Sequence, residues 1–453
     1  MIKIKKISLV CFVLAILTLT GCYSSYIDSV SEETEPIVFD VGAALLGSRF
    51  NQTPQLRQPT PEEAERYVQP TNLPALHITL EHTPLRRITS YEYVPGSYTF
   101  IFGEEGGFFN EPLTMKGRGA WSRSHPKRPF TVELFRETSW GGLPPATKWV
   151  MIGNWSDKSL LRNSITLQFA EWVSDDWAPS TFFADVFVNG EYQGTYLITE
   201  SIEIHENRLN LDRTTEAIFE IEATFRHHDH SDCIEMLDGR NHIMFKRPRG
   251  ALMPEARAQN LEKFREFFRL MQGSLSLGYE AYSQFINVPS FVNWYIINEF
   301  TKNFDSAFTA SCYAFIQNGI LHMGPAWDFD TCFGNQAIGP PMNKTDPEGF
   351  HVSTSPWFRR LMNDETFHRL VQERWTELRQ NGVLDDFLQL IDDTAAHIAE
   401  SARLNFERWP CALAFTMRDR RQGATFTHED EVEYLRNWIP ARIAWLDTQW
   451  YIG

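Results

Sequence analysis

The stretch that most limits what this chain can fold into runs over residues 298–335. It begins on the tail of an apolar run, residues 291–301, that reads as a buried helix because it is hydrophobic nearly all round. A polar turn carrying Asn303 and Asp305 follows. Two short strand-like runs come next, 311–317 and 320–323, joined by Asn318-Gly319, the dipeptide that best fits a tight hairpin turn. The stretch ends in a second turn, Trp-Asp-Phe-Asp (327–330), which sets Asp328 and Asp330 among Ala326, Trp327, Phe329 and Phe333. A hairpin folds back on itself, so the spacing predicts that Asp328 returns close to Asp305. An Asp in a turn is most often a turn former or a helix cap. Two carboxylates at i and i+2 among aromatic rings, however, are costly to bury without a cation or donors. Two acidic turns facing one another suit a divalent metal on a polyphosphate, with one carboxylate left over as a base.

The wording of these turns resembles a known family. His-Met-Gly-Pro-Ala-Trp-Asp-Phe-Asp (322–330) with Phe333-Gly334-Asn335, and Asn-Glu-Phe-Thr-Lys-Asn-Phe-Asp (298–305), are similar to the signature of the CotH-type (spore-coat protein H) kinases. The resemblance extends over roughly residues 75–450. It takes in Gly117-Arg118-Gly119 with Pro126-Lys127-Arg128-Pro129, Asp157 to Asn163, and Asn189-Gly190-Glu191-Tyr192-Gln193-Gly194. It implies an α+β, two-lobed, atypical protein-kinase-like fold that transfers phosphate from ATP to Ser or Thr of a protein partner. Asp305 then matches the catalytic-loop Asp and Asp328 the metal-binding Asp. One departure is that Ala120-Trp121-Ser122 stands where the family usually has Asn-Ser-Thr-Trp after the glycines.

The N-terminus reads as a targeting segment. Lys3, Lys5 and Lys6 precede an apolar run, 7–20, that is too short for an ordinary membrane span. Leu19-Thr20-Gly21-Cys22 resembles a bacterial lipobox, which implies cleavage after residue 21 and lipidation of Cys22. The expectation is an exported protein, lipid-anchored to the bacterial cell envelope, with residues 22–72 as a polar tether. A net charge of −16 argues against a nucleic-acid partner, which would need clustered Lys and Arg. Four further cysteines, Cys233, Cys312, Cys332 and Cys411, fit no zinc spacing. Cys312 and Cys332 flank the hairpin, where an exported protein can pair them.

Along the body, residues 73–250 read as a strand-rich N-lobe and 251–453 as a helical C-lobe with the cleft between them. The Gly117–Gly119 loop with Arg118 and Lys127 can cradle phosphate through backbone N–H groups and cations. Lys246, off a strand end, is a third candidate phosphate contact or an ordinary edge-strand Lys. Asn154 to Val173 reads as a helix capped by Ser156 or Asp157, with Arg162 either satisfied by carbonyls or part of the site. Glu220 and Glu222 share one face of a strand. His227, His228, Asp229, His230 and Asp232 form a compact polar run that reads as solvated loop or as a transition-metal site.

The reading that follows is a metal-dependent kinase. Asp305 orients or deprotonates the acceptor, and Asp328, with Asp330 or Asn303, holds Mg²⁺ or Mn²⁺. Arg118, Lys127 or Lys246 neutralises the phosphates of ATP. The alternative is a catalytically silent surface lipoprotein that binds a glycan, nucleotide or protein. A glycosidase is a third option, and it would need two carboxyls flanking an open sugar groove.

Overall fold

Seven strands, β1 (Ala75–Leu80), β2 (Val94–Ile101), β3 (Gly107–Gly117), β4 (Phe130–Thr138), β5 (Ala146–Ile152), β6 (Thr181–Val188) and β7 (Glu191–Glu200), close into a barrel in the order β1-β2-β3-β4-β5-β7-β6. Only the closing pair, β1 with β6, is parallel. Alternation fills the interior: Leu76, Ile78, Phe100, Val132, Met151, Val186 and Ile198 point inward around stacked Trp140 and Trp149. The β6–β7 hairpin turns on Asn189-Gly190, both at positive φ, as the sequence predicts.

The computed structural model describes residues 54–81, 83–223, 233–247, 254–336, 345–410 and 427–453; for 254–258 only the backbone is described. Residues 54–453 form one compact unit. The signal segment, Cys22 and the His227–Asp232 run lie outside the described residues. So does Cys411. Within the expected tether, residues 22–72, the described chain begins at Pro54. Thr60 caps a short helix, α1 (Pro61–Arg66), in a capping box with Glu63. Thr71 reaches into the body to bond Asp185 (2.7 Å).

After the barrel the chain builds a second, five-stranded sheet in the order β12-β11-β8-β10-β9. Its members are β8 (Ala217–Ala223), β9 (Cys233–Glu235), β10 (Asn241–Arg247), β11 (Cys312–Gln317) and β12 (Ile320–Met323). The expected boundary at residue 250 therefore cuts through a sheet, because β11 pairs with β8 about ninety positions earlier in the chain. Phe219, Ile221, Ile243, Phe245 and Ala314 cover one sheet face and join the main core. Glu220, Met244 and Tyr313 stand in register on the other.

The helices are α2 (Arg162–Val173), α3 (Pro254–Ser274), α4 (Tyr279–Tyr282), α5 (Val288–Phe300), α6 (Pro356–Leu361), α7 (Glu365–Gln380), α8 (Val383–Arg408) and α9 (His428–Trp450). Helix α5 is buried on all sides, as its composition requires. Helix α2 starts at Arg162 rather than at Asn154: Asn154 and Leu160 take positive φ, so residues 154–161 are successive turns. Helix α8 packs on β7 of the barrel. At that junction Gly194 sits at φ +99°, and a Cβ there would meet Asn405 Oδ1 at 2.5 Å. Among the described residues no helix is long and apolar enough to cross a membrane.

Candidate active site: two acidic turns and a basic cavity

The turns at either end of the β11–β12 hairpin are clasped together. Asn303 Nδ2 donates to the Asp328 carbonyl (3.2 Å), and Phe333 N–H to the Thr301 carbonyl (2.8 Å). Ser311 Oγ donates to Asp328 Oδ2 (2.9 Å). Five non-glycine residues of this stretch hold positive φ outside the hairpin turn: Lys302, Phe308, Ser311, Asp328 and Phe333. Each costs on the order of 1–2 kcal/mol for an L-residue. A backbone held so often in a disfavoured region is constrained by the structure around it.

Two helices hold the turns in place. Arg162 at the start of α2 is fully buried. Its Nε donates to the Cys332 carbonyl (3.1 Å), while Asp157 accepts from its guanidinium and its backbone N–H. Arg162 thus rests on one carbonyl, the Asp157 carboxylate and the Ser159 hydroxyl, and it anchors the second acidic turn. Its neighbour Asn163 accepts from Phe329 N–H (2.8 Å). At the end of α5, Glu299 accepts from the N–H groups of His351, Val352 and Ser353 and pairs with Arg442 of α9, both side chains wholly buried. That network fixes the point from which the Asn303–Asp305 turn departs.

The acids meet electrostatically. Burial, then the Asp328, Asp305 and Asp157 carboxylates, push Asp330 well above the ordinary carboxylate range, against a hydrogen bond from Ser156. Asp328 and Asp330 border a small cavity of about 80 Å³ together with Asn163 and Arg118. Asp305 is half-buried and lines neither this cavity nor the larger one described next. Asn303 is buried and serves as the clasp between the turns. Among the described residues no group of three or more His, Cys, Asp or Glu is poised to hold a metal ion. A Mg²⁺ site built from two carboxylates and water needs no such group.

Beyond Arg118 lies a cavity of about 700 Å³ between the outer face of β3–β5 and the polar face of the second sheet. Lys116, Arg118, Lys148, Arg213, Lys246 and Arg247 line it against two acids, Glu133 and Glu203. A β-bulge between Phe245 and Arg247 lets two consecutive cations border the same space. Lys246 is not an edge-strand residue: β10 lies inside the sheet, and its ammonium pairs with the buried Glu220 carboxylate of β8. Glu220 is the residue that sequence reasoning missed. The alternation of Glu220 and Glu222 gives their shared face but not what that face meets. Arg118 borders both cavities and lies 5.2 Å over the Trp327 ring. Burial lowers its pKa, while Tyr313, Asp328 and Glu220 act to raise it.

Three expectations change. Lys127, expected only as a phosphate contact, is buried at the edge of the Asp328–Asp330 cavity and spends two of its three donors inside the protein, on the Thr195 carbonyl and Asn405 Oδ1, so it clasps the barrel to α8. The Gly117 and Arg118 N–H groups are taken by the Thr89 and Pro129 carbonyls (2.7 and 3.2 Å), so neither is available to a backbone cradle. Cys312 and Cys332 are free buried thiols, not a disulfide.

A strand-rich body and a helical body, with a cation-lined cavity beside an acidic turn, define a mixed α+β protein. Residues 115–446 match the CotH kinase protein family, and the chain belongs to that family. Its name carries a kinase-like function. No curated protein matches the chain.

Proposed function

We propose that the protein is a metal-dependent phosphotransferase that moves the terminal phosphoryl group of ATP to a Ser or Thr hydroxyl of a protein partner. In this reading the barrel and the helical body act as the two lobes of a kinase-like fold, and lipidation at Cys22 holds the exported protein on the bacterial envelope. The carrying observation is the position of Arg118, whose side chain borders both the basic cavity and the cavity that Asp328 and Asp330 line. The residues fit the substrate. Lys246, Lys116 and Arg118 supply the charge a triphosphate requires within a chain of net charge −16, and Val150, Ile202 and Ile204 give an apolar wall for a base. They also fit a divalent ion. Asp330 carries a carboxylate that burial and its acidic neighbours disfavour, and a cation beside Asp328 and Asp330 restores its ionisation. Bound Mg²⁺ or Mn²⁺ supplies charge neutralisation on the phosphates.

The chain's own residues do the rest. The Glu220 carboxylate holds Lys246 toward the cavity. Arg118 neutralises charge where the two cavities meet. Asp305 orients the acceptor hydroxyl and takes its proton as the new O–P bond forms and the bond to the leaving diphosphate breaks. The test is transfer of label from γ-labelled ATP with Mg²⁺ or Mn²⁺ to casein-like acceptors. Asp305→Ala and Asp328→Ala are each expected to abolish it, and transfer retained by both would remove the assignment.

A second reading, a silent lipoprotein that binds a glycan, nucleotide or protein, draws on the placement of Asp305 outside both cavities. It is favoured if neither label transfer nor a nucleotide-induced rise in melting temperature appears. The glycosidase option finds little room, since Asp328 and Asp330 open on only about 80 Å³.

A further inference from the structure

A third cavity, of about 360 Å³, lies where the barrel meets the C-terminal end of α8. Arg86, Arg128 and Arg408 line it with Tyr196, Trp409 and a single acid, Glu191. Arg86 and Arg408 are exposed, and Arg128 is half-buried. Arg128 donates to the Leu85 and Ile88 carbonyls, which fixes its guanidinium. Arg408 spends Nε on the Tyr192 carbonyl (2.9 Å) and lays its guanidinium 4.3 Å over the Trp409 ring. Trp409 is itself pinned by its indole N–H on the Gln193 carbonyl (2.9 Å). The result is a concave, positively charged site in which Arg128, Arg408 and Trp409 are held in place and Arg86 stands exposed at the edge, in a protein whose net charge is strongly negative.

This cavity shares a wall with the acidic one. Along residues 126–130 the side chains alternate: Lys127 and Pro129 border the Asp328–Asp330 cavity, whereas Pro126, Arg128 and Phe130 border the basic one. Aromatic rings bridge the two over the top. Trp155, which borders the acidic cavity, meets Trp409 edge-on at 6.0 Å, and His125 lies 6.3 Å from Trp155. Trp121, more than half exposed, continues the row 4.6 Å beyond His125. The donor cavity, the acidic turn, the aromatic bridge and the basic cavity thus follow one another.

We propose that the basic cavity beneath Trp409 docks an anionic side chain of the acceptor polypeptide. The protein then selects hydroxyls that have Asp, Glu or a phosphorylated residue a short distance along the chain. This rests on the phosphotransferase reading. An acceptor hydroxyl at the Asp328 cavity leaves its flanking residues on the aromatic row, whose faces suit side chains and peptide planes. The three guanidiniums beyond it pair with carboxylate or phosphate in a way lysines do not. A concave site joined to the acidic cavity fits a peptide better than the flat array of a membrane's headgroups.

The experiment uses the full chain and fluorescein-labelled peptides with one central Ser, flanked by Glu, phosphoserine or Lys. Anisotropy without nucleotide reads docking, and label transfer reads phosphorylation. Acidic and phosphorylated peptides are expected to bind about tenfold tighter than the Lys peptide, a preference worth about 1.4 kcal/mol. Arg86→Glu with Arg408→Glu should erase or invert the preference, and Arg86→Lys with Arg408→Lys should retain part of it. Equal affinities in the unaltered protein, or a preference untouched by the double charge reversal, overturn the proposal. So does competition by vesicles of anionic lipid that exceeds competition by acidic peptide. Selective binding without label transfer to any peptide would sink the phosphotransferase reading while the docking site stands.

Discussion

Replacing Arg442 by Met tests whether the first acidic turn is held from the far end of the chain. Arg442 makes five hydrogen bonds from a fully buried position: to the Phe300 carbonyl (3.3 Å), the Pro347 and Gly349 carbonyls (2.7 Å each), and the Glu299 carbonyl and carboxylate (2.6 and 3.1 Å). Burial lowers its pKa to about 10 despite the Glu299 carboxylate beside it, so the pairing only partly offsets the cost of desolvation. Met fills much of the volume but leaves four carbonyls and one carboxylate short of a donor. Removing one partner of a buried pair costs about 3–5 kcal/mol. Glu299 keeps three backbone N–H donors, which places this case near the lower end of that range. Urea unfolding followed by Trp fluorescence reads the loss, and the Lys variant should recover little because an ammonium cannot serve carbonyls on both sides of a planar fork. The control is Arg403→Ala, which removes close but exposed contacts to Glu400 and Glu407 and should leave the midpoint unmoved. A loss below about 1 kcal/mol for Arg442→Met would refute the argument, because ordinary substitutions already cost that much.

Three further outcomes are expected. Asp330→Asn should raise the melting temperature of the metal-free protein at neutral pH, since burial and its acidic neighbours disfavour the ionised form, and should weaken the Mg²⁺-induced rise expected of the unaltered chain. An Asp330→Asn protein that melts lower and keeps the full Mg²⁺ response would contradict this. Burial lowers the Lys127 ammonium from 10.5 to about 7, so between those values the unfolded chain holds a proton that the folded one has lost. Stability should therefore climb as pH rises from 7 toward 10, and Lys127→Met should flatten that climb in urea midpoints measured across the range. Asn163→Leu removes the acceptor for Phe329 N–H, and a drop in nucleotide-dependent label transfer with little change in nucleotide binding would show that Asn163 positions the second acidic turn.

The elements set by local chemistry were legible in the sequence. The Asn318-Gly319 and Asn189-Gly190 turns appear where the dipeptides indicate, and the strand limits around the first differ by one residue from the expected run. The expected resting point of Asp328 depends on partners far along the chain. Ser311 Oγ reaches its carboxylate across the hairpin, while Arg162 and Asn163 of α2 fix the turn it sits in. The rest was hidden because it is set by pairing across long separations. Nothing in residues 217–223 indicates that β11 will lie beside them. Nothing near Lys127 indicates that Asn405 will take its proton donor. Asp157 reads as a helix cap, yet it accepts from Arg162 beneath the second acidic turn, because α2 begins five residues later.

The second sheet has a bearing on how the molecule is made. The barrel strands all lie within residues 75–200 and can close as soon as that length has been synthesised. β8 follows at once, but the neighbour on its β11 side arrives only with residue 312. Until then it presents a bare row of amide and carbonyl groups, the kind of template on which nascent chains associate. A chain released from its ribosome before that point would carry a finished barrel and an open, adhesive seam, so a chaperone acting on this protein should engage β8 and let go once the hairpin has been delivered.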